Sequence, residues 1–290
     1  MRASTTRGEG KGVIELYGYS TRQGSVDWAT VVSEQSCPYL GKRCDKTRKS
    51  SPQITIGTCT VSHDIHSPKE IIICPHRFLE RNQIFIDCIH LLTRHEPGNE
   101  LHCIPEVTLP GGSVDFCLTS VRKGRVVDFV GIEIQAVDTT GTLWAERQQF
   151  LASVGLEVEE APTNSYGMNW KMSAKTILVQ LHHKVRTFEH VNRHFVLALQ
   201  DHFLDSMQKS FSFDHIGAAK LGDTMHFHAY SLLPEADKYR IELATRFSTN
   251  SDGIGMSLGL QGSPDIELQT ILNHLEQKIA RATKNTQLLF

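Results

Sequence analysis

A glutamate and a glutamine lie two residues apart in a segment rich in β-branched and aromatic residues. They are Glu133 and Gln135 in Val126–Val137, and because side chains alternate along a strand, both leave the same face. The other face carries apolar side chains that favour a core, namely Ile132, Ile134 and Ala136. A carboxylate inside such a strand is costly unless a group of opposite charge pairs with it. The pattern therefore predicts a strand with polar chemistry on one face.

A second carboxylate is expected beside Glu133. Ser113–Val121 also has the composition of a strand, and Arg122-Lys123-Gly124-Arg125 between the two segments predicts a hairpin with glycine in its turn. If the turn centres on Lys123-Gly124, Asp115 lies opposite about position 132, to within one residue, and within cross-strand reach of Glu133. A cation between the two carboxylates is the simplest way to satisfy both.

Carboxylate oxygens with open coordination positions suit Mg²⁺, which usually binds one or two carboxylates together with phosphate and waters. A metal held there would polarise a phosphodiester and lower the pKa of a bound water. Glu106, which precedes the turn Pro110-Gly111-Gly112, would add a third carboxylate. The structural alternative is that Asp115 pairs with a nearby arginine while Glu133 faces solvent, and the carboxylate pattern by itself favours that alternative.

Four cysteines lie in a segment from about Ser36 to Arg77 whose Gly, Pro and Ser residues predict loop-like structure. They are separated by six, fourteen and fourteen residues, and they are Cys37, Cys44, Cys59 and Cys74. Four thiolates around a tetrahedral metal would stabilise a stretch with little apolar content, and their softness suits zinc or iron without choosing between them. Simple burial is the alternative. For Cys88, Cys103 and Cys117, burial among apolar residues is the better interpretation.

The periodicity of the remaining chain predicts the elements that would position these residues. In order they are a helix over Phe78–Leu92 ended by Pro97-Gly98-Asn99, a helix over Met168–Arg186, strands over His194–Gln200, Met225–Leu233 and Tyr239–Phe247, and a final helix near Asp265–Ala282. Lys171, Lys175, Gln180 and Lys184 are assigned to the polar face of the second helix. The order helix, hairpin, helix, strand predicts a mixed α/β (α+β) core around one sheet.

Composition sets the outer limits. The chain has 290 residues, of which 40% are hydrophobic and 21% charged, a balance that excludes wholesale disorder. Its apolar runs are too short to cross a membrane, and seven cysteines without a secretory segment argue against disulfides, so a cytoplasmic protein is expected. The net charge of -2 means that any DNA-binding surface must be local. The densest candidate is Lys42, Arg43, Lys46, Arg48 and Lys49.

Together these segments resemble the NotI-type restriction endonucleases over roughly residues 31–200. The motifs that carry the resemblance are Cys37-Pro38-Tyr39-Leu40, Cys44, Gly57-Thr58-Cys59, Ile73-Cys74-Pro75-His76-Arg77, Val114-Asp115-Phe116 and Ile132-Glu133-Ile134-Gln135-Ala136-Val137-Asp138. The match of the cysteine block and the hairpin in the same order is far more specific than either one alone.

The resemblance implies a PD-(D/E)xK nuclease core in which Gln135 stands in place of the usual lysine. It implies Asp115 and Glu133 as ligands of catalytic Mg²⁺, Glu106 as the upstream glutamate, and the four cysteines as ligands of a structural iron. The chain is accordingly divided into an N-terminal arm (1–30), a four-cysteine metal-binding motif inserted before the core (31–78), the nuclease core (79–210) and a C-terminal part (211–290) that completes the core or forms a dimer or DNA interface.

The resemblance also implies partners. A homodimer would match the two-fold symmetry of a palindromic, GC-rich site in double-stranded DNA, and a cognate DNA methyltransferase would complete a bacterial restriction-modification system. Two rivals remain. One is a nuclease of the same core that acts in DNA repair, and the other is a non-catalytic module that binds DNA through the four-cysteine segment.

Overall fold

The computed structural model describes residues 12–22, 25–63, 69–159 and 166–260, together with positions 269, 272, 273 and 277. Its strands are β1 (Gly12–Leu16), β2 (Tyr19–Ser20), β3 (Ser36–Cys37), β4 (Lys42–Arg43), β5 (Thr47–Arg48), β6 (Ser51–Thr55), β7 (Thr58–His63), β8 (Lys69–Ile72), β9 (Glu100–Leu109), β10 (Gly112–Arg122), β11 (Arg125–Gln135), β12 (Thr139–Thr140), β13 (Gly167–Met168), β14 (His194–Gln200), β15 (Gly217–Ala218), β16 (Met225–Glu235) and β17 (Lys238–Thr249). Its α-helices are α1 (Trp28–Glu34), α2 (Gln83–Ile86), α3 (Trp144–Ser153), α4 (Trp170–His190), α5 (Asp201–Ser210) and α6 (Ser251–Ser257), and 3-10 helices span Pro75–Asn82 and Ile89–Leu91.

A seven-stranded mixed sheet forms the centre of the molecule, in the order β15-β17-β16-β14-β11-β10-β9. Strands β9, β10 and β11 are antiparallel neighbours in chain order. Helix α4 follows them, and β14 then runs parallel to β11, as β16 does to β14, before β17 returns antiparallel. This arrangement confirms the predicted mixed α/β fold.

Both faces of strand β11 are covered, and its side chains alternate between them. Ile132, Ile134 and Ala136 are buried in a cluster with Val196 and Ala198 of β14. Glu133 and Gln135 leave the opposite face, on which α4 packs. The alternation predicted from the sequence therefore holds, but the polar face of the strand is covered by a helix rather than by solvent.

Helix α4 packs through an apolar stripe that includes Ile177, Leu181 and Val185, all fully buried. The helix extends one turn beyond its predicted end and approaches β11 closely because position 131 is glycine. A Cβ atom on Gly131 would lie 2.6 Å from Phe195 Cδ2 and closer still to a ring atom of Phe188. The distance between α4 and the strand that carries Glu133 thus depends on a missing methyl group.

Residues 12–63 contain more regular structure than their composition predicts. Val13, Ile14 and Leu16, in the part expected to be a loose arm, are buried in β1, which belongs to a four-stranded sheet ordered β2-β1-β7-β8. Two of those strands, β7 and β8, lie in the stretch predicted to be loop-like. The side chain of Gln200, at the end of β14, hydrogen-bonds to the backbone of Glu70 and Ile72 and so joins the two sheets.

A fully buried arginine connects the N-terminal sheet to the large one. Arg77 Nε donates to Glu15 of β1 at 2.9 Å, and Nη1 donates to Glu80 at 2.9 Å. Its Nη2 donates to the carbonyl oxygen of Tyr239 in β17, and the guanidinium carbon lies 5.0 Å from the ring centre of Tyr39. One cation therefore satisfies groups from three separate parts of the chain.

The helix predicted over residues 78–92 is instead a series of short helical turns. Arg81 and Asn82 have left-handed backbones, with φ of 49° and 56°, and they interrupt the helix after Glu80. The apolar residues that suggested a helix, among them Phe78, Ile84 and Cys88, are nevertheless buried. Tertiary packing gathers them on one side without a continuous helix.

The C-terminal strands are longer than predicted, and β16 and β17 extend the large sheet. Most of the helix expected near 265–282 lies outside the described residues. Among the helices that are described, none combines the length and apolar character that a membrane span requires.

The close approach of α4 to β11 can be tested with Gly131→Ala. The added methyl group would collide with Phe188 and Phe195, so we expect a loss of roughly 2 kcal/mol of unfolding free energy, measured by urea denaturation. Gly217→Ala is the matched control, because nothing lies within 4 Å of its Cβ position, and it should change stability by less than about 0.5 kcal/mol. Equal stability of the two variants would contradict the packing argument.

Candidate active site

Three neighbouring strands, β9, β10 and β11, place three acidic residues at adjacent positions in the register of the large sheet. Pairing of Val107 with Val114, and the continuing register of β9 and β10, sets Glu106 opposite Asp115. Pairing of Phe116 with Ile132 sets Asp115 beside position 133 of β11, within the one-residue range predicted from the turn. The turn itself contains Lys123 and Gly124 with positive φ, as a tight hairpin requires.

Strands β10 and β11 separate at Asp115. Their backbone pairing ends at Phe116 and Ile132, whereas on its other side β11 stays paired with β14 through Gln135, with Glu133 opposite Leu197. The N–H of Ile134 faces the gap and donates to Asp115 Oδ2 at 2.8 Å. The Asp115 carboxylate thus takes the place of a backbone acceptor, and this hydrogen bond holds the carboxylate in position.

Glu133 is buried, with only 7% of its surface exposed. Burial raises the pKa of this carboxyl group above its ordinary value, the negative charge of Asp115 raises it further, and Lys184 opposes both effects. Oε1 accepts a hydrogen bond from Lys184 Nζ at 2.7 Å. Oε2 is buried and has no hydrogen-bond partner among the described residues.

Lys184 was not predicted to belong to this site, and its assignment to the solvent face of α4 is wrong. Its side chain is as buried as that of Glu133, 9% against 10% exposed. Position 184 lies three residues after Leu181 and four before Phe188, so it falls on the apolar stripe of the helix. A lysine on such a stripe is the signal that could have revealed it.

The other two predicted residues differ in their surroundings. Gln135 is partly buried on the same face as Glu133, and its Nε2 donates to the carbonyl oxygen of Ala136 at 2.6 Å. Glu106 is exposed and has a left-handed backbone with φ of 52°, an uncommon conformation inside a strand. The backbone is therefore distorted opposite Asp115, which is where the neighbouring strands separate.

This arrangement fits a hard divalent cation. Asp115 and Glu133 supply carboxylate oxygens on adjacent strands, and Glu133 Oε2 is a buried acceptor with nothing to accept. Within the described ranges, however, no three His, Cys, Asp or Glu side chains are already arranged as a ligand set. A cation here would complete its shell with water or substrate oxygens.

The four cysteines of the N-terminal segment are all buried and influence one another. Interaction between the Cys59 and Cys74 thiols lowers the pKa of Cys74 and raises that of Cys59, and the Cys59 thiol donates to the carbonyl oxygen of Gly57 at 3.5 Å. Burial raises the pKa of Cys37 and of Cys44, and both thiols interact electrostatically with Cys74. Of the other three cysteines, Cys88 and Cys117 are buried as predicted, whereas Cys103 is exposed on β9, contrary to prediction.

Neighbouring backbone N–H groups lower the pKa values of three of these thiols. Tyr39 and Leu40 do so for Cys37, Lys46 and Gly57 for Cys44, and His76 for Cys74. Such N–H groups stabilise the thiolate form, which is the form that binds metals.

The basic residues beside the cysteines are only partly engaged. Lys46 Nζ donates to the carbonyl oxygen of Ile73 at 2.8 Å, and Arg48 pairs with Glu159 at 2.6 Å. Arg43 donates to the backbone of Gln53. The side chains of Lys42 and Lys49 are exposed and complete a local basic surface.

Two comparisons with known proteins bear on this site. The protein family described as "Restriction endonuclease NotI" matches residues 29–236, which is most of the chain and includes all four cysteines and the three acidic residues of the site. No curated protein matches the chain.

The charge balance of the site predicts different effects of two conservative substitutions on the stability of the metal-free protein. Glu133→Gln leaves the buried Lys184 ammonium without its counter-charge, so we expect a loss of about 3 kcal/mol. Asp115→Asn removes the repulsion of Glu133 while its side-chain oxygen can still accept from Ile134, so stability should be unchanged or higher. Urea denaturation in EDTA measures both, and equal destabilisation by the two variants would contradict this balance.

Proposed function

Because this chain belongs to the NotI restriction endonuclease family and is therefore a type II site-specific deoxyribonuclease, we propose that it cuts double-stranded DNA at a GC-rich palindromic site in a Mg²⁺-dependent reaction. The observation that carries this proposal is the pair of carboxylates, Asp115 and Glu133, held where two strands separate. Glu133 Oε2 is a buried acceptor without a partner among the described residues, which a divalent cation would satisfy.

We propose that residues 79–210 are a PD-(D/E)xK nuclease core. The order of β9, β10, β11, α4 and β14 supports this assignment, since it brings an antiparallel meander and a parallel crossover strand together around the site. Residues 211–290 would complete the core, an interpretation supported by the continuation of the sheet through β16 and β17.

In the proposed reaction, a water gives up a proton as its oxygen forms a bond to phosphorus, a bridging P–O bond breaks, and the leaving oxygen takes up a proton. Asp115 and Glu133 would hold Mg²⁺, which when bound would stabilise negative charge on the scissile phosphate. Gln135 would position the water through its side-chain oxygen, since its Nε2 already donates to Ala136. Glu106, opposite Asp115, would add a carboxylate on the solvent side.

The remaining elements of the proposal concern assembly. Two copies would form a homodimer whose two-fold axis coincides with that of a palindromic site. The exposed basic residues near the cysteines, Lys42, Arg43 and Lys49, together with Lys46 and Arg48, would contact phosphates or guanine edges. An enzyme that cuts DNA in the cytoplasm of a bacterium would require a cognate methyltransferase to protect the cell's own sites.

We further propose that Cys37, Cys44, Cys59 and Cys74 bind one structural metal ion. Four buried thiols that interact with one another, with backbone N–H groups beside them, fit a soft ion such as iron or zinc. The family resemblance favours iron. The ion would hold the segment 31–78 together in a region where the strands are short.

Incubation of plasmid DNA with the purified protein and Mg²⁺ tests the catalytic proposal. Discrete fragments are expected from the wild type, and Asp115→Asn should slow cleavage ~1000-fold, because a lost metal ligand removes several kcal/mol of transition-state stabilisation. Asp205→Asn, an exposed aspartate on α5, is the control and should cut normally. Cleavage at random positions would favour a repair nuclease, and specific DNA binding without Mg²⁺-dependent cutting would favour a non-catalytic module.

Elemental analysis and a visible absorption spectrum test the cysteine proposal. The wild type should contain one iron or zinc per chain, and only iron would give strong visible absorption. Cys74→Ser should lose the metal and unfold at a lower temperature, since metal binding contributes directly to folding. Cys103→Ser, which changes the exposed thiol of β9, should keep both, and a metal content unaffected by Cys74→Ser would overturn the assignment.

A further inference from the structure

Lys184 of helix α4 is held beside Glu133 by two contacts. Its Nζ donates to Glu133 Oε1 at 2.7 Å. Its side chain also lies against the turn between β9 and β10, where a Cβ on Gly112 would be 3.4 Å from Lys184 Cε. Both contacts are made by the tip of the side chain, and 93% of the residue is buried.

The turn that confines Lys184 is itself fixed to α4. Thr187 Oγ1 donates to the carbonyl oxygen of Pro110 at 2.7 Å, and a Cβ on Gly111 would lie 3.1 Å from the carbonyl oxygen of His183. The turn and one helical turn of α4 are therefore packed backbone to backbone. The ammonium group of Lys184 is held between this contact and β11.

The two oxygens of Glu133 have different surroundings as a result. Oε1 accepts from Lys184, while Oε2 has no partner among the described residues. A carboxylate held in this way presents one defined oxygen to a cation and keeps the other occupied. Gln135 cannot hold Oε1 in the same manner, because its amide is neutral and donates to Ala136.

The charges also fit the substrate proposed above. Asp115, Glu133 and Lys184 together carry a net charge of about -1, and a bound Mg²⁺ would change this to about +1, opposite in sign to a phosphodiester. Without Lys184 the loaded site would be neutral. Within the described residues, the bond to Glu133 is the one hydrogen bond given by Lys184 Nζ.

We propose that Lys184 is a positioning residue of the nuclease site. It fixes Glu133 through Oε1 so that Oε2 faces the metal, and it supplies from α4 the positive charge that Gln135 lacks. This inference rests on the proposed function.

Lys184→Met tests it, with Lys175→Met as a matched control on the exposed face of the same helix. Lys184→Met should slow single-turnover cleavage at least about 100-fold. Removal of a neighbouring positive charge should leave Mn²⁺ binding, titrated at pH 8 without DNA, equal to or tighter than in the wild type. DNA affinity in EDTA should stay within about threefold. Lys175→Met should match the wild type in every assay.

Two results would overturn the proposal. Cleavage by Lys184→Met within about threefold of the wild type would show that the lysine is dispensable. Loss of cleavage and of Mn²⁺ binding together with a large fall in the urea midpoint would show that Lys184 only maintains the fold of the site. If Lys184→Met does not fold, Lys184→Arg is the second variant, because it keeps the charge but displaces the donor. Slow cleavage with normal Mn²⁺ binding is then expected. Cleavage at the wild-type rate would refute the proposal. Failure of the wild type itself to cut DNA would instead count against the proposed function.

Discussion

The structure depends on the burial of one carboxylate. Glu133 belongs to a central strand of the large sheet and leaves the face on which α4 packs, so its charge has little contact with bulk water. In such a position a carboxylate must have a cation nearby or give up its charge. Lys184 meets that requirement from the helix, and it does so for only one of the two oxygens. Three further features bring this pair together. They are helix α4, Gly131, which lets the helix approach β11, and the turn at Pro110–Gly112, which packs against Lys184.

The separation of β10 and β11 complements this arrangement. A sheet that stayed fully paired through Asp115 would satisfy the backbone of Ile134 with another backbone group and leave the carboxylate without a fixed partner. Because the strands diverge, the side chain of Asp115 takes over that hydrogen bond and is held beside Glu133. Backbone pairing of the two strands therefore ends where Asp115 and Glu133 lie side by side. The Asp115 carboxylate accepts the hydrogen bond that the backbone of β10 would otherwise have accepted.

The sequence was sufficient to predict the hairpin and its register because each signal there is local. The alternation of polar and apolar residues shows which face of the strand carries Glu133. The position of the glycine turn shows which residue lies opposite Asp115. Strand β9 was not predicted, although Leu101, Cys103, Val107 and Leu109 occupy alternate positions, because proline at position 105 argues against a strand interior. The strand lies at the sheet edge with nearly every residue exposed, so its alternation does not correspond to a buried face. The helical break at Asn82 depends on a left-handed backbone that composition does not reveal.

The role of Lys184 was missed for a related reason. Lysine is assigned to solvent on average, and only its position on the apolar stripe of α4 opposed that assignment. The buried strand β1 was missed because its five residues lie among glycine and charged residues. In both cases long-range packing outweighed the average behaviour of the residue type or of the local composition.

Arg77 has a consequence for modularity. It follows the last of the four cysteines by three residues, yet its hydrogen bonds end on β1, on the helical turns after it and on β17. A fragment that began after Arg77 would leave the carboxylate of Glu80 and the carbonyl oxygen of Tyr239 without their cation. A fragment that ended at Arg77 would keep a buried guanidinium with only part of its partners. The cysteine segment is therefore structurally tied to the large sheet, and its removal or exchange would disturb the packing on both sides of Arg77.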